Sequence, residues 1–149
     1  MIWRQSFSTL VGRDVVLPPL KGMTLSGSQW SPGGAETYIG AFELAALSEI
    51  GVWTKLLHSA GIPSHVLIFA NDPGPKIQRS LQTSFPPSRL QDIILVDDSG
   101  EQWRNFIQPD RPERAFAMHV RDGMAEPLMV GPPTEEAWDL FQLLVNSER

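Results

Sequence analysis

Residues 22–61 decide the fold of this chain, and their first half reads Met23-Thr24-Leu25-Ser26-Gly27-Ser28-Gln29-Trp30-Ser31-Pro32-Gly33-Gly34-Ala35-Glu36. The part from Met23 to Trp30 predicts a short strand, although its Ser-Gly-Ser interrupts the apolar run that is typical of a central parallel strand. The Ser-Pro-Gly-Gly that follows predicts a tight turn. We therefore expect a turn that leaves a core strand and leads directly into a helix.

A helix is predicted over residues 32–58. Ser31 suits the N-cap, because its hydroxyl can accept a hydrogen bond from a free amide of the first turn. Pro32 suits the first helical position, where its missing N–H costs nothing. Apolar residues then recur every three or four positions, which indicates one buried stripe. They are Ile39, Phe42, Ala46, Ile50, Trp53 and Leu57.

The rest of the chain continues the alternation of strands and helices. Unbroken apolar runs predict buried strands over residues 65–70 and 92–96. The other predicted elements are a short helix around Ile77 and Leu81, a helix over residues 101–107, a hairpin of strands 115–121 and 126–131 across Asp122-Gly123, and a last helix from Thr134. The β-α-β start predicts parallel strands with right-handed crossovers. The fold class is therefore α/β, with a mixed central sheet and helices on both faces.

The length of 149 residues predicts one domain. We assign residues 14–149 to this domain and residues 1–13 to an N-terminal arm. Trp3 and Phe7 are large apolar groups in this arm, and they are expected either to dock on the domain surface or to contact a partner, such as a second copy of the chain.

The composition excludes several classes of function. The net charge is −5 and the chain has no cysteine. Acidic charge and scattered lysines argue against nucleic-acid binding, and the lack of cysteine excludes disulfides and thiolate nucleophiles. No apolar run approaches the ~18 residues of a membrane span, and the N-terminus lacks the pattern of a signal peptide. We expect no membrane contact and a cytoplasmic location.

Trp30-Ser31-Pro32-Gly33-Gly34 resembles the active-site segment of thioredoxin-like proteins, in which Trp-Cys-Pro-Pro-Cys stands at a strand-to-helix junction. Leu17-Pro18-Pro19-Leu20-Lys21-Gly22 is similar to the Leu-Pro-x-Leu-x-Gly that precedes the first core strand in this superfamily. Residues 95–100 resemble its Leu-Val-Asp-x-x-Gly, and residues 120–123 resemble its Ile-Asp-x-x-Gly turn. The resemblance covers roughly residues 14–146. It implies a thioredoxin-like fold of the peroxiredoxin and thiol-disulfide oxidoreductase branch, with Ser31 and Gly34 at the two cysteine positions.

This resemblance implies that the chemistry of the superfamily has been lost here. Without cysteine, neither disulfide exchange nor peroxide reduction is possible at the predicted turn. Ser31 is then a plain N-cap, or it donates a hydrogen bond to a bound thiol, as the serine of some glutathione transferases does. The amides of Gly33 and Gly34 could instead hold an anion at the helix start.

The superfamily also places a cis-proline before its penultimate strand, opposite the active-site turn. Counting back from Gly123 puts Arg114 at that position, and Pro112 lies two residues earlier. An Arg114 that faces Ser31 would attract an anion to the helix start. The candidate ligand-binding residues are therefore Trp30, Ser31, Pro32, Gly33, Gly34 and Arg114.

No metal site, cofactor or catalytic group is predicted. The spacing of His58, His65 and His119 does not suit a metal ion. Ser31, His119 and Asp97 have the residue types of a catalytic triad, but their spacing does not support one and no Gly-x-Ser-x-Gly elbow is present. No glycine-rich phosphate loop occurs.

Three hypotheses for the function remain open. The first is a non-redox binding module whose partner, an unknown protein or a small anionic ligand, meets the Trp30 turn or an exposed sheet edge. The second is an enzyme that binds glutathione or another thiol compound, with Ser31 orienting the sulfur. The third is a small homodimer with no site of its own.

Overall fold

The computed structural model describes residues 8–10, 20–33, 35–70, 74–107, 114–121, 124–131 and 133–146. The predictions for Trp3, Phe7, Gly34, Pro112 and the Asp122-Gly123 turn lie outside these residues. The described strands are β1 Ser8–Leu10, β2 Gly22–Thr24, β3 Gln29–Trp30, β4 Glu36–Ala41, β5 Ser64–Ala70, β6 Ile93–Asp97, β7 Phe116–Arg121 and β8 Met124–Val130. The α-helices are α1 Leu47–Ser59, α2 Pro75–Ser84, α3 Gln102–Ile107 and α4 Glu135–Asn146, with 3-10 turns at Leu44–Ala46 and Pro87–Asp92.

The described strands form one mixed sheet in the order β1-β8-β7-β4-β5-β6-β2-β3. Strands β4, β5 and β6 are parallel to one another, and the remaining neighbours pair antiparallel. The sheet confirms the prediction of a mixed central sheet. β1 lies in the stretch that was assigned to an N-terminal arm, and it pairs with β8 at the sheet edge. The boundary between arm and domain stays a prediction.

The helices lie on both faces, as predicted. The β4-α1-β5 and β5-α2-β6 crossovers advance in the same direction across the sheet, so right-handed connections put α1 and α2 on one face. The β6-α3-β7 connection joins antiparallel strands, so packing and not handedness shows the face of α3. Trp53, Leu81 and Phe141 share one core cluster, whereas Trp103 of α3 belongs to the cluster on the other face.

The helix predicted over residues 32–58 is wrong in its first half. Glu36–Ala41 forms the central strand β4, and α1 begins only at Leu47. Thr37, Tyr38 and Ile39 favour strands, and Gly40 is a poor helix former. Ile39 belongs to the core cluster on one face of the sheet and Tyr38 to that on the other, as expected for alternating side chains.

The core strand predicted from Met23 to Trp30 is also wrong. This stretch is a short antiparallel hairpin, β2 and β3, at the margin of the sheet. The amide of Thr24 donates to the carbonyl of Ser28 (2.8 Å), and Gly27 has φ of 102°. Ser-Gly-Ser is thus the turn of the hairpin, since glycine adopts positive φ at no steric cost.

The elements predicted after residue 60 are confirmed within the described residues. Strands β5 and β6 follow the unbroken apolar runs, and α2, α3, β7, β8 and α4 appear in the predicted order. Thr134 caps α4, because its Oγ1 accepts a hydrogen bond from the amide of Ala137 (3.2 Å). Asp98 plays the same part for α3 by accepting from the amides of Trp103 (3.0 Å) and Arg104 (3.1 Å).

A pair of glycines tests the position of β4 and α1. A Cβ at Gly40 would overlap the ring of Phe116, which is fully buried, so Gly40→Ala should lower the free energy of unfolding by about 1–3 kcal/mol. Gly51 lies inside α1 with no atom within 4 Å of an added Cβ, and Gly51→Ala should raise it by roughly 0.5–1 kcal/mol. Urea denaturation measures both changes, and changes of the same sign would contradict this packing.

Candidate functional site

The strand-to-helix junction of this fold lies at residues 42–46. β4 ends at Ala41, a 3-10 turn covers Leu44–Ala46, and α1 follows. Ser31 stands instead between β3 and β4, so it does not cap a helix, and Pro32 does not occupy a first helical position. The assignment of Ser31 and Gly34 to the two cysteine positions is therefore corrected.

An ion pair holds this junction. Glu49, in the first turn of α1, accepts a hydrogen bond from the amide of Ala115 (2.9 Å), and its other oxygen lies 2.9 Å from Nη2 of Arg114. A carboxylate in the first turn is also stabilised by the helix dipole. Arg114 does lie directly before β7, but it faces Glu49 and α1 rather than Ser31. The predicted anion-attracting pair of Arg114 and Ser31 is wrong.

A second arginine covers the end of β4. Nη1 of Arg104 lies 3.6 Å from Oε2 of Glu43, and Nη2 donates to the carbonyl of Phe42 (3.4 Å). The guanidinium also lies over the Phe42 ring, 5.7 Å from its centroid. The junction thus presents two carboxylates next to two guanidinium groups, which is an arrangement that fixes backbone segments rather than one that supplies a nucleophile.

Trp30 and Ser31 line a cavity of about 840 Å³. We call this cavity the hairpin groove, because it lies between the β2–β3 hairpin, β6 and the start of α2. Its lining residues are Lys21, Gly22, Met23, Gln29, Trp30, Ser31, Gly74, Pro75, Gln78, Leu95 and Asp97. Met23 is 43% exposed there. Of the predicted ligand-binding residues, these two come together at a cavity, although at a place that the sequence did not indicate.

A polar cluster fixes the segment that leads from Trp30 into β4. The Trp30 ring stands edge-on to that of Tyr38, with centroids 5.7 Å apart, and lies 6.0 Å from the ring of His65. The hydroxyl of Tyr38 donates to Oε2 of Glu36 (2.8 Å), and the amide of Gly33 donates to Oε1 (3.1 Å). Gly33 therefore serves to close this turn around Glu36.

Burial raises the pKa of Tyr38 well above its ordinary value, and the hydrogen bond to the Glu36 carboxylate and the charge of that carboxylate raise it further. The phenol is therefore a hydrogen-bond donor throughout the physiological range. It holds the carboxylate of Glu36 in place, and Nε2 of His65 lies 3.7 Å from the same oxygen.

A second cavity, of about 460 Å³, lies at the amino end of β4. We call it the polar cavity. Its lining residues are Ala35, Glu36, Thr37, Ile62, Pro63, His65, His119, Arg121 and Val145. Thr37 Oγ1 and His119 Nδ1 are hydrogen-bonded (2.9 Å) across the β4–β7 pair. This cavity could not be predicted from the sequence, because only the register of β4, β5 and β7 brings these residues together.

Two other kinds of site are absent from the described residues. No group of three or more His, Cys, Asp or Glu side chains there is arranged to hold a metal ion. No helix in this part of the chain has the length and apolar character to cross a membrane.

Comparisons with known proteins concern the fold alone. No protein-family model and no curated protein matches the chain. A SCO1/SenC family lipoprotein from Bacillus anthracis matches with a TM-score of 0.61 and 10% identity, over 89% of this chain and 96% of that one. The thioredoxin domain of a thiol-disulfide oxidoreductase from Bacteroides vulgatus matches with a TM-score of 0.56 and 13% identity, over 86% and 94%.

A third solved structure gives the same result. The exposed lipoprotein thioredoxin from Streptococcus pneumoniae matches with a TM-score of 0.53 and 11% identity, over 87% of this chain and 99% of that one. This chain therefore has a thioredoxin-like fold, and it has no cysteine. The thioredoxin-like fold that the resemblance implied is confirmed by these matches.

Removing Glu49 tests the junction. Glu49→Ala should lower the free energy of unfolding by about 1.5–3 kcal/mol, because it removes a charged acceptor from a half-buried amide. Glu43→Ala is the matched control, since Glu43 is 43% exposed and such pairs contribute about 0–1 kcal/mol. A double-mutant cycle of Glu49 with Arg114 should give a coupling of about 0.5–3 kcal/mol. Equal costs for the two glutamates would contradict the structural role of Glu49.

The Tyr38 phenol gives a direct pH test, because it is the single tyrosine of the chain. Absorbance of the phenolate should appear only well above pH ~10, the ordinary pKa of tyrosine, and Glu36→Gln should lower that pKa. The phenol's contribution to stability is complete below about pH 10 and is lost as the pH rises through the raised pKa of the folded state. Tyr38→Phe should lack this loss, and phenolate forming near pH 10 in the folded protein would contradict the assigned environment.

Proposed function

We propose that this chain is a binding module of thioredoxin-like fold that does not use thiol chemistry, and that its hairpin groove accepts an extended peptide segment of a partner protein. The hairpin groove is the single observation that carries this proposal. Its volume of about 840 Å³ falls within the ~300–1,000 Å³ that is usual for ligand sites.

The chemistry of the lining supports a peptide as the occupant. Met23, Leu95 and Pro75 offer an apolar surface, and methionine adapts its shape to different side chains. Gln29 and Gln78 carry amide groups, which both donate and accept hydrogen bonds and so match peptide groups. Lys21 and Asp97 add one charge of each sign, which suits a peptide better than it suits a simple anion.

The position of the groove also supports an extended segment. β3 is the last strand of the described sheet, and its described pairing is with β2. A peptide that lies along such an edge can add main-chain hydrogen bonds while its side chains enter the adjacent groove. An exposed sheet edge was one of the two places where the sequence led us to expect a partner, the other being the Trp30 turn.

The second hypothesis, an enzyme that binds glutathione through Ser31, required Ser31 at a helix start. Ser31 follows β3 instead, so we do not propose it. The homodimer hypothesis stays a prediction, since Trp3 and Phe7 lie outside the described residues. A cytoplasmic location also stays a prediction, and two of the structural neighbours are themselves named lipoproteins.

Selection of random displayed peptides on the intact protein tests the proposal. We expect selected peptides to bind Met23→Asp at least about tenfold more weakly, a loss of about 1.4 kcal/mol, because a carboxylate would then lie within the apolar contact. Val52→Asp is the matched control: Val52 is 50% exposed on α1, away from the groove, and its variant should bind normally.

Amide shifts in NMR locate the bound peptide. They should centre on Met23, Gln29 and Gln78, and glutathione added at the same concentration should leave Gly33 unshifted. Equal binding by the two aspartate variants, or shifts centred elsewhere, would overturn the groove as the site. If light scattering shows that the protein is a dimer and that Met23→Asp makes it a monomer, the occupant of the groove is a second copy of the chain and not a peptide.

A further inference from the structure

We propose that the peptide segment bound in the hairpin groove carries an acidic side chain two residues away from the apolar side chain that packs on Met23. This inference rests on the proposed function of the groove, and it names the class of peptide that the groove selects. It is carried by the strand register around the groove and by the different states of its two charged residues, Lys21 and Asp97.

The backbone of β3 determines where a peptide strand can pair. The amide of Thr24 donates to the carbonyl of Ser28 (2.8 Å), so these two residues form a hydrogen-bonded pair of the hairpin. Bonded and non-bonded pairs alternate along antiparallel strands. Met23 and Gln29, the next pair, are therefore non-bonded, and the backbone groups of Gln29 point toward the edge of the described sheet. The same alternation applies to Ser31, so an added strand pairs with Gln29 and Ser31.

The groove side of the sheet carries two rows of side chains that run across the strands. The first row consists of Gln29, Met23 and Leu95, which lie opposite one another in the registers of β2 with β3 and with β6. Two residues further along each strand, the same registers give the second row, which consists of Ser31, Lys21 and Asp97. All of these residues line the groove, as expected because side chains two positions apart share one face of a strand.

A strand added beside β3 continues both rows. Its residue opposite Gln29 faces the apolar surface of Met23, and its residue opposite Ser31 lies two positions away on the same face. Ser31 has a small side chain, which leaves space for a longer peptide side chain to reach past it toward Lys21. The spacing of two residues is the same whether the peptide runs parallel or antiparallel to β3.

The second row brings Lys21 closer to the peptide than Asp97. In the sheet order β6-β2-β3, the strand next to Lys21 is the second from an added peptide and that of Asp97 is the third. Neighbouring strands are about 4.8 Å apart, so a peptide side chain meets the lysine first. Lys21 is also exposed, and its long flexible stem allows the ammonium group to reach a neighbouring strand.

Asp97 is engaged by its own turn, whereas the charge of Lys21 is not paired. Oδ1 of Asp97 accepts hydrogen bonds from the amide of Ser99 (3.0 Å) and from the Ser99 hydroxyl. Within the part of the chain that the structure describes, no ion pair joins Lys21 to an acidic side chain. An unpaired cation beside the peptide favours a carboxylate by charge complementarity.

Selection of random displayed peptides on variants of the intact protein tests this inference. On the original protein we expect Asp or Glu to be enriched two positions from an apolar residue. On Lys21→Glu the same position should be enriched in Lys or Arg, because the charge that it faces is reversed. Lys55→Glu is the matched control, since Lys55 is an exposed lysine of α1, and it should select the original pattern.

Affinities of synthetic peptides measure the size of the effect. Replacing the acidic residue of a selected peptide with its amide, Glu with Gln or Asp with Asn, should weaken binding about two- to fivefold, as is usual for an exposed ion pair. The same replacement should have no effect on binding to Lys21→Gln. Added salt should reduce the difference on the original protein, because it screens exposed charges.

Two results would overturn this inference and leave the groove as a peptide site. They are groove-bound peptides without an acidic residue at this spacing, and an acidic preference that persists on Lys21→Glu. Failure to select any peptide, or amide shifts outside the groove, would instead contradict the proposed function on which the inference rests. Should the amide spectrum show that Lys21→Glu is unfolded, the acidic peptide and its amide form, compared on the original protein at low and high salt, decide the question.

Discussion

The burial of β4 is the constraint on which the rest of the structure depends. β4 pairs with β5 on one edge and with β7 on the other, and its residues from Thr37 to Ala41 are buried. Gly40 lets the Phe116 ring lie directly against the strand. The backbone groups of a strand enclosed in this way must all be paired. Loops and cavities next to β4 can therefore form only at its two ends.

These two ends define different environments. At the carboxyl end of β4, the junction with α1 carries the pairs of Glu49 with Arg114 and of Glu43 with Arg104. At the amino end, Glu36 and Thr37 line the polar cavity. In this chain ion pairs occupy the strand-to-helix junction, while the two cavities lie elsewhere on the same scaffold. Function is carried by sites placed on a fold and not by the fold itself.

Trp30 connects the two cavities. It lines the hairpin groove, and its ring contacts Tyr38 and His65, of which His65 lines the polar cavity. The bond from Gly33 to Glu36 holds the backbone that follows. One aromatic side chain and one carboxylate thus connect the wall of the hairpin groove to that of the polar cavity.

The sequence by itself determined the elements whose local signals agree with one another. The apolar runs of β5 and β6, the start of the last helix at Thr134 and the order of elements all predicted the thioredoxin-like architecture. The sequence did not place β4, since Ile39, Phe42 and Ala46 fit a helical stripe as well as they fit a strand followed by a turn. Only pairing with β5 and β7 decided between the two.

The partners of the candidate site residues were decided by tertiary structure for the same reason. The sequence placed Arg114 directly before β7. Its partner Glu49 comes from α1, far away in the sequence, and only the structure shows this pair. The polar cavity likewise requires the register that sets His119 beside Thr37. Local chemistry determines which residues can turn, cap or pair, whereas contacts between distant segments form only when burial of the central strand brings those segments together.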